Sequence, residues 1–527
     1  MRIVLHIDKS KTSLLRIFSL DLLSFRWGLL LFLTGFCCIQ CASKRQIRMG
    51  CFPIFGESPW LDIIITEGIS DSLQKTNPKT CLLYPLDWSF GAIAQDSLSN
   101  VSYLRNYGRR IGLDYLITET VQVQFSEGCV VGIAFYDLRE NQCLLEFSDS
   151  LRFGMPAHFF RSATQKVTDS FLPNSRGPVS ISLPPQSVWK SYGTAKCAQL
   201  FGDMQRSEKY YRSGFESDST SSFLLKGLAA VLLEKAFQYQ DEGKYADDVY
   251  LEASHYLHRI LANDSTDAQA YRLLGKLYIQ QSRWNKAEGA LRKALKWDGN
   301  DPFVYFLFTR LHPSRYNDLG FRNPEALLRK ALSIDPAFEQ AWIALGEQYY
   351  FRNKPPKAEK TYIRLLAIHP TSLNGLLALG KLYVFRNDVV NIIRVYEKVL
   401  EISPTYADAY YNLGIAYYNS RQEDKAILFF EKAIELNRHV NSHFYLGVIY
   451  AKRGDRQKAI HYFRERIHLG RDKDDTFTEE ARKRLFQLIH DNEQTSFTPA
   501  TGGPAYGRQA HLWRACLRQT SNGGVHS

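Results

Sequence analysis

The chain has 527 residues, 45% of them apolar and 23% charged, with a formal net charge of +12. That length exceeds what one hydrophobic core sustains and leaves room for two or three further units. The basic excess does not mark a nucleic-acid binder. Residues 1–48 carry eight Lys/Arg against two Asp, residues 49–187 carry ten against fourteen Asp/Glu, and later bases alternate with acids, as in Glu397-Lys398 and Glu431-Lys432. Such interleaving is solvated helix surface, without the clustered cations and aromatic readers that nucleic acid requires.

The chain opens on a targeting pattern. Lys9, Lys11, Arg16 and Arg26 precede an uncharged run of thirteen residues, Trp27 to Ile39. The run is short for a bilayer helix, which needs about 20 residues, and fits the apolar region of a secretory leader. Cys37, Cys38 and Cys41 stand at its end, followed by Ala42-Ser43-Lys44-Arg45. This arrangement resembles a bacterial lipoprotein leader over residues 1–41, with Cys41 as the lipid site, although Gln40 stands where a small residue is usual. The resemblance implies an acylated, membrane-associated protein on the periplasmic side of the cell envelope. A plain cleaved leader and a short uncleaved anchor are the alternatives. The remaining cysteines, Cys51, Cys81, Cys129, Cys143, Cys197 and Cys516, lack metal-ligand spacing. Cys129 and Cys143 flank an expected hairpin, and whether they pair is open.

Residues 48–172 read as a small α+β domain. Strands are expected at Met49–Phe55, Cys81–Leu86, Tyr115–Val123, Val130–Tyr136 and Leu144–Phe147. Helices are expected where Leu61, Ile65, Ile69 and Leu73 form a stripe, where Val101, Leu104 and Ile111 run up to Gly112, and from Ala157 to Phe171. Two phrases, Glu67–Leu73 and Arg110–Thr118 followed by Val121, resemble the envelope domain shared by the TolB amino-terminal region and FlgO-like lipoproteins. That resemblance implies a noncatalytic interaction domain, with Asp71 and Asp114 at helix-surface or turn positions.

Pro173 to Gln186, within a linker spanning 173–187, contains Gly177-Pro178 and Pro184-Pro185. Residues 188–263 then read as degenerate helical hairpins, with Trp189, Tyr192 and Gly193 as weak copies of the signature that follows. From 268 to 474 the chain repeats about every 34 residues. Gly275, Gly346, Gly380, Gly414 and Gly447 mark the units, and a degraded copy at 302–338 carries Thr309 in place of glycine and three inserted residues. A large residue precedes each glycine by four and an aromatic follows by three, as in Trp342, Leu345, Gly346 and Tyr349, which is one helical face. Ala358 and Tyr362, Ile392 and Tyr396, or Ala426, Phe430 and Ala433 form a second face. Pro336, Pro370 and Pro404 stop the second helix, because proline lacks the N–H and its ring clashes with the preceding turn. Each unit is a helical hairpin that buries both faces only by stacking.

This pattern resembles the tetratricopeptide repeat (TPR) family over six units. The fold it implies is mainly α, a right-handed solenoid of hairpins preceded by the small α+β domain. The resemblance also implies a protein or peptide ligand in a groove lined by the first helices, through Arg272, Lys276, Phe303, Phe306, Arg310, Lys381, Tyr411, Tyr418 and Phe444, basic at one end and aromatic at the other. The Lys/Asn carboxylate clamp of some members is missing, since Lys276, Glu347, Lys381, Ile415 and Val448 stand one place after the glycines. In the last unit His443 and Arg466 occupy places that are usually apolar. Thr476 to Glu479 reads as a capping box opening a capping helix over 475–490, and 492–527 as a disordered tail.

No nucleotide loop, zinc motif or nucleophile elbow occurs in the sequence. The expectation is a noncatalytic scaffold for protein–protein interactions in the bacterial envelope, tethered to a membrane and using no cofactor, metal or nucleic acid. The rival is a regulatory subunit of a signalling or envelope enzyme complex with an uncleaved amino-terminal anchor.

Overall fold

The computed structural model describes residues 47–53, 65, 69, 81–84, 100–111, 113–125, 128–152, 163, 186–200, 202–436, 439–470 and 475–490. The leader with Cys41, most of the linker, Asp71 and the tail therefore lie outside the described residues. The chain divides into two compact units, one holding a β-sheet and the other α1 (Val101–Arg110) with all helices from residue 186 onward.

The sheet has five strands in the order β2-β1-β3-β4-β5. β1 (Ile47–Pro53) and β2 (Cys81–Tyr84) pair parallel, from Ile47 opposite Cys81 to Gly50 opposite Tyr84. β3 (Tyr115–Phe125), β4 (Gly128–Asp137) and β5 (Gln142–Arg152) form an antiparallel meander. Cys129, Val131, Ile133 and Phe135 alternate along β4 and are all buried, as the period of two in a strand dictates. The β4–β5 turn is fastened by Asp137, whose carboxylate accepts from the N–H of Arg139 at 2.8 Å, while the Arg139 guanidinium lies 4.7 Å over the Tyr115 ring. The register also answers the cysteine question. Cys129 faces Leu151 while Cys143 faces Tyr136, so eight residues of β5 separate them. At about 3.4 Å per residue that is roughly 27 Å, far beyond a disulfide's reach of about 6 Å between Cα atoms.

The second unit is a succession of helical hairpins. α2 (Gln186–Leu200) pairs with α3 (Met204–Ser217), α4 (Ser222–Asp241) with α5 (Asp247–Asn263), and α6 (Ala268–Gln280) with α7 (Trp284–Trp297). α8 (Pro302–Phe308) pairs with α9 (Pro324–Ile334), α10 (Glu339–Phe351) with α11 (Pro355–Ile368), and α12 (Leu373–Arg386) with α13 (Val389–Ile402). α14 (Ala407–Asn419) with α15 (Glu423–Glu435) and α16 (Asn441–Lys452) with α17 (Arg456–Leu469) complete the series, which α18 (Thr476–His490) closes.

The signature glycines have a steric cause. A Cβ placed on Gly414 would come within 2.6 Å of the Phe430 ring, and one on Gly447 within 2.7 Å of Phe463. In each regular unit the intruding side chain, Leu291, Tyr362, Tyr396, Phe430 or Phe463, stands sixteen residues after the glycine. The glycine thus lets the second helix drive one large side chain against the first helix's backbone. A cation on the second helix covers the signature tyrosine eight residues before it. Lys286, Lys357, Lys425 and Lys458 lie over Tyr278, Tyr349, Tyr417 and Tyr450 at 5.7, 5.7, 5.1 and 4.8 Å. Between the helices, seven residues after each glycine, Ser282, Asn353, Asn387, Arg421 and Gly454 take left-handed φ angles of 54° to 79°, which reverses the chain at the helix C-terminus.

The 302–338 unit departs from this plan in a defined way. Its first helix, α8, has seven residues where α10 and α12 have 13 and 14. It stops at Thr309, whose hydroxyl donates to the Phe306 carbonyl at 2.6 Å, and Pro313 prevents its continuation. Two 3-10 turns, Pro313–Arg315 and Asn317–Leu319, fill the gap. They are held by α7: Arg292 pairs with Asp318 at 2.8 Å and donates to the Arg315 carbonyl, while Arg315 pairs with Glu288 at 2.9 Å. Tyr316 is fully buried beneath them.

The start of α18 corrects the capping-box reading. The cap is Asp475, one residue earlier than Thr476: its carboxylate accepts from the Phe477 N–H at 3.0 Å and its carbonyl from the Glu479 N–H at 3.1 Å. Arg466 also finds its explanation here, because its guanidinium reaches Asp475 and Thr478.

Candidate functional site

The first helices of successive hairpins also touch one another, α4 with α6, α6 with α8, and α10 with α12. Each presents a face built from the residues one, four and five places after its signature glycine. Residues at those offsets share one helical side.

One place after the glycine position the face changes character along the chain. Lys276 is ion-paired to Glu234 of α4. Arg310 is exposed, with its guanidinium 5.5 Å over the Phe306 ring. Glu347 follows, then exposed Lys381, and then Ile415 and Val448, both buried. Burial pushes the Glu347 carboxyl above its ordinary pKa, and the cations on either side, Arg310 and Lys381, pull it back. The proposed groove residues accordingly divide. Arg272 is tied to Asp301 at 3.0 Å and stacks 5.1 Å over Phe303. Phe306, Tyr411 and Phe444 are buried: Phe306 lies against Phe338 at 5.3 Å, Tyr411 against His439 at 3.5 Å, and Phe444 against Phe477 at 5.2 Å. These three hold neighbouring hairpins together and leave little surface for a ligand. Tyr418 is half-buried, edge-on to Tyr445 at 5.7 Å.

The exposed aromatics on this face lie elsewhere. On α10, Tyr350 and Phe351 stand four and five places after Gly346, and on α12 Phe385 stands five after Gly380. Tyr350 meets Phe351 edge-on at 5.5 Å and Phe385 at 5.0 Å, so two successive first helices build one cluster. Phe351 remains 68% exposed and Phe385 43%. The place five after the glycine is also exposed in regular units, at Asn419 and Lys452, so α10 and α12 carry an aromatic where those units carry a polar side chain. α8, for its part, ends at the place equivalent to Leu345. The clue in the sequence was Tyr350, which occupies the same repeat place as Tyr418.

Among the described residues, no three His, Cys, Asp or Glu side chains gather as a metal site would require. No helix among them is long and apolar enough to cross a membrane.

Family models for the tetratricopeptide repeat match residues 245–303, 393–420, 407–439 and 442–476. The chain therefore carries tetratricopeptide repeats, in a mainly helical fold. Among curated proteins, 117 residues are 30% identical to protein O-mannosyl-transferase TMTC1 of Homo sapiens, covering 22% of this chain and 13% of that one. A stretch of 72 residues is 35% identical to the general transcriptional corepressor trfA of Dictyostelium discoideum, covering 14% and 5%. The matches thus span a small fraction of either relative's length. Among solved structures, yeast Tom70 is 14% identical over 60% of this chain and 67% of its own, with a TM-score of 0.40. YrrB, described as a TPR protein with an unusual peptide-binding site, is 19% identical over 34% and 91%, with a TM-score of 0.27.

Proposed function

We propose that the protein is a noncatalytic scaffold of the bacterial cell envelope, which binds a partner protein or peptide on the first-helix face of its repeats and is held at a membrane through its leader by acylation of Cys41. The observation that carries the binding half is the cluster of Tyr350, Phe351 and Phe385, three aromatic rings from two consecutive first helices, with both phenylalanines exposed beside an exposed lysine. Exposed aromatics gathered on one face are the usual anchors of a binding surface. The envelope half is supported by the leader's charge and apolar pattern and by the phrases Glu67–Leu73 and Arg110–Thr118.

Quantitative affinity capture from detergent-solubilised envelopes tests the first half. Phe351→Ala with Phe385→Ala should deplete specific partners while leaving the melting transition unchanged, and an unaltered partner profile refutes the face. Membrane fractionation of Cys41→Ala tests the second. Loss of membrane association with altered electrophoretic mobility is expected, and wild-type behaviour in both would overturn the lipid tether.

A further inference from the structure

We infer that the ligand of this face is an extended peptide segment bearing an apolar side chain and a carboxylate two residues apart. The inference rests on the scaffold reading and adds the chemistry of the partner. On α12, Lys381 and Phe385 are separated by four residues, and on α10 Glu347 and Phe351 repeat that separation. Four residues of helix rise about 6 Å, and an extended chain covers that distance in about two residues at roughly 3.4 Å each. Side chains at i and i+2 of an extended peptide also point the same way. A segment lying along α12 can therefore place an apolar group between Phe351, Tyr350 and Phe385 while its next same-side residue reaches Lys381.

The charge preference follows from what surrounds the cluster. Lys381 and Arg310 are exposed and neither forms an ion pair among the described residues. The neighbouring cations Arg352 and Arg386 are already engaged, by Glu325 and Glu359 respectively. Glu347 sits between Arg310 and Lys381 and is one carboxylate against two cations. An incoming carboxylate therefore gains attraction, whereas an incoming lysine faces two cations against one carboxylate.

The test uses three fluorescein-labelled ten-residue peptides in a Gly/Ser/Thr background, carrying Phe-x-Asp, Phe-x-Lys or Ala-x-Asp, with anisotropy read on the full chain. The Phe-x-Asp peptide should bind at least about tenfold more tightly than either other. Lys381→Glu should invert the order of the first two. Phe351→Ala with Phe385→Ala should abolish the advantage of Phe over Ala, with unchanged circular dichroism melts confirming the fold. Equal binding of the three peptides, no binding of any, or an order that Lys381→Glu leaves intact overturns the inference. So does Phe-x-Asp binding that appears only after residues 491–527 are removed, which would make the chain's own tail the occupant. If peptide order is flat while partners are still captured through Phe351 and Phe385, the scaffold reading stands and only the ligand chemistry fails.

Discussion

Arg466 and Asp475 form an ion pair that fastens the last hairpin to the helix closing the series. The guanidinium, 2% exposed, reaches Asp475 and donates to the Thr478 hydroxyl at 2.7 Å. Thr478 in turn donates to the same carboxylate at 2.7 Å. Burial alone would raise the Asp475 pKa, but the Thr478 hydroxyl and Arg466 outweigh it and hold the carboxyl below its ordinary value.

Removing Arg466 leaves the half-buried Asp475 carboxylate without its counter-charge, held only by Thr478 and the Phe477 N–H, at a cost of about 1–3 kcal/mol. Arg466→Ala should therefore release α18 locally. Hydrogen exchange should show residues 476–490 losing protection while α6 to α15 keep theirs. Unchanged protection of α18 would contradict this role.

Two glycines should respond oppositely to the same substitution. Gly414→Ala drives a methyl to 2.6 Å from the Phe430 ring, and overpacking of this kind costs about 1–3 kcal/mol. Gly289 lies inside α7, and a methyl added there would meet nothing within 4 Å. Gly289→Ala should therefore stabilise by about 0.5–1 kcal/mol through helix propensity alone. Denaturant titration of both variants gives the two signs.

The turn between α14 and α15 carries Arg421 at a φ of 62°. An L side chain there costs about 1–2 kcal/mol, and glycine avoids it while losing more unfolded-state entropy. Arg421→Gly should raise stability by roughly 0.5–1 kcal/mol. A lower melting temperature would contradict this account of the turn.

Two histidines, one buried and one half-buried, make stability depend on pH. His369 is 1% exposed, with Nε2 2.6 Å from the Ala337 carbonyl. Burial, with a smaller contribution from Arg110, lowers its pKa. His439, stacked on Tyr411, is lowered by burial and by Arg466 to about 3. A histidine whose folded pKa lies below its unfolded value takes up a proton on unfolding. Its stabilisation is complete above about pH 6.5 and is lost as pH falls toward the folded pKa, at up to about 1.4 kcal/mol per pH unit for each. His369→Gln should flatten the slope of unfolding free energy as pH falls below about 6.5. An unchanged slope would remove His369 from the cause.

The repeat was legible because glycine, aromatic and small residues recur at fixed offsets, and those offsets are backbone geometry. What stayed hidden depended on neighbours in space. Phe306, Tyr411 and Phe444 sit at the same repeat faces as surface residues, but the adjoining units supply Phe338, His439 and Phe477 to cover them. Phe351 and Phe385 share a repeat place that is exposed at Asn419 and Lys452 as well, and it is packing across the α10–α12 pair that gathers them around Tyr350. Arg466 looked misplaced until Asp475, nine residues on, supplied its counter-charge. Cys129 and Cys143 flank one hairpin in sequence, yet one lies at its open end and the other beside its turn.

Binding of partners on the first-helix face around Phe385 is tested most directly in living cells. A benzophenone photo-cross-linker is incorporated at position 385 and, separately, at exposed Lys398 on the second helix of the same hairpin. A discrete cross-linked protein from position 385 that Lys381→Glu diminishes, and none from position 398, is the predicted result. No adduct at 385, or the same adduct from both positions, would contradict it.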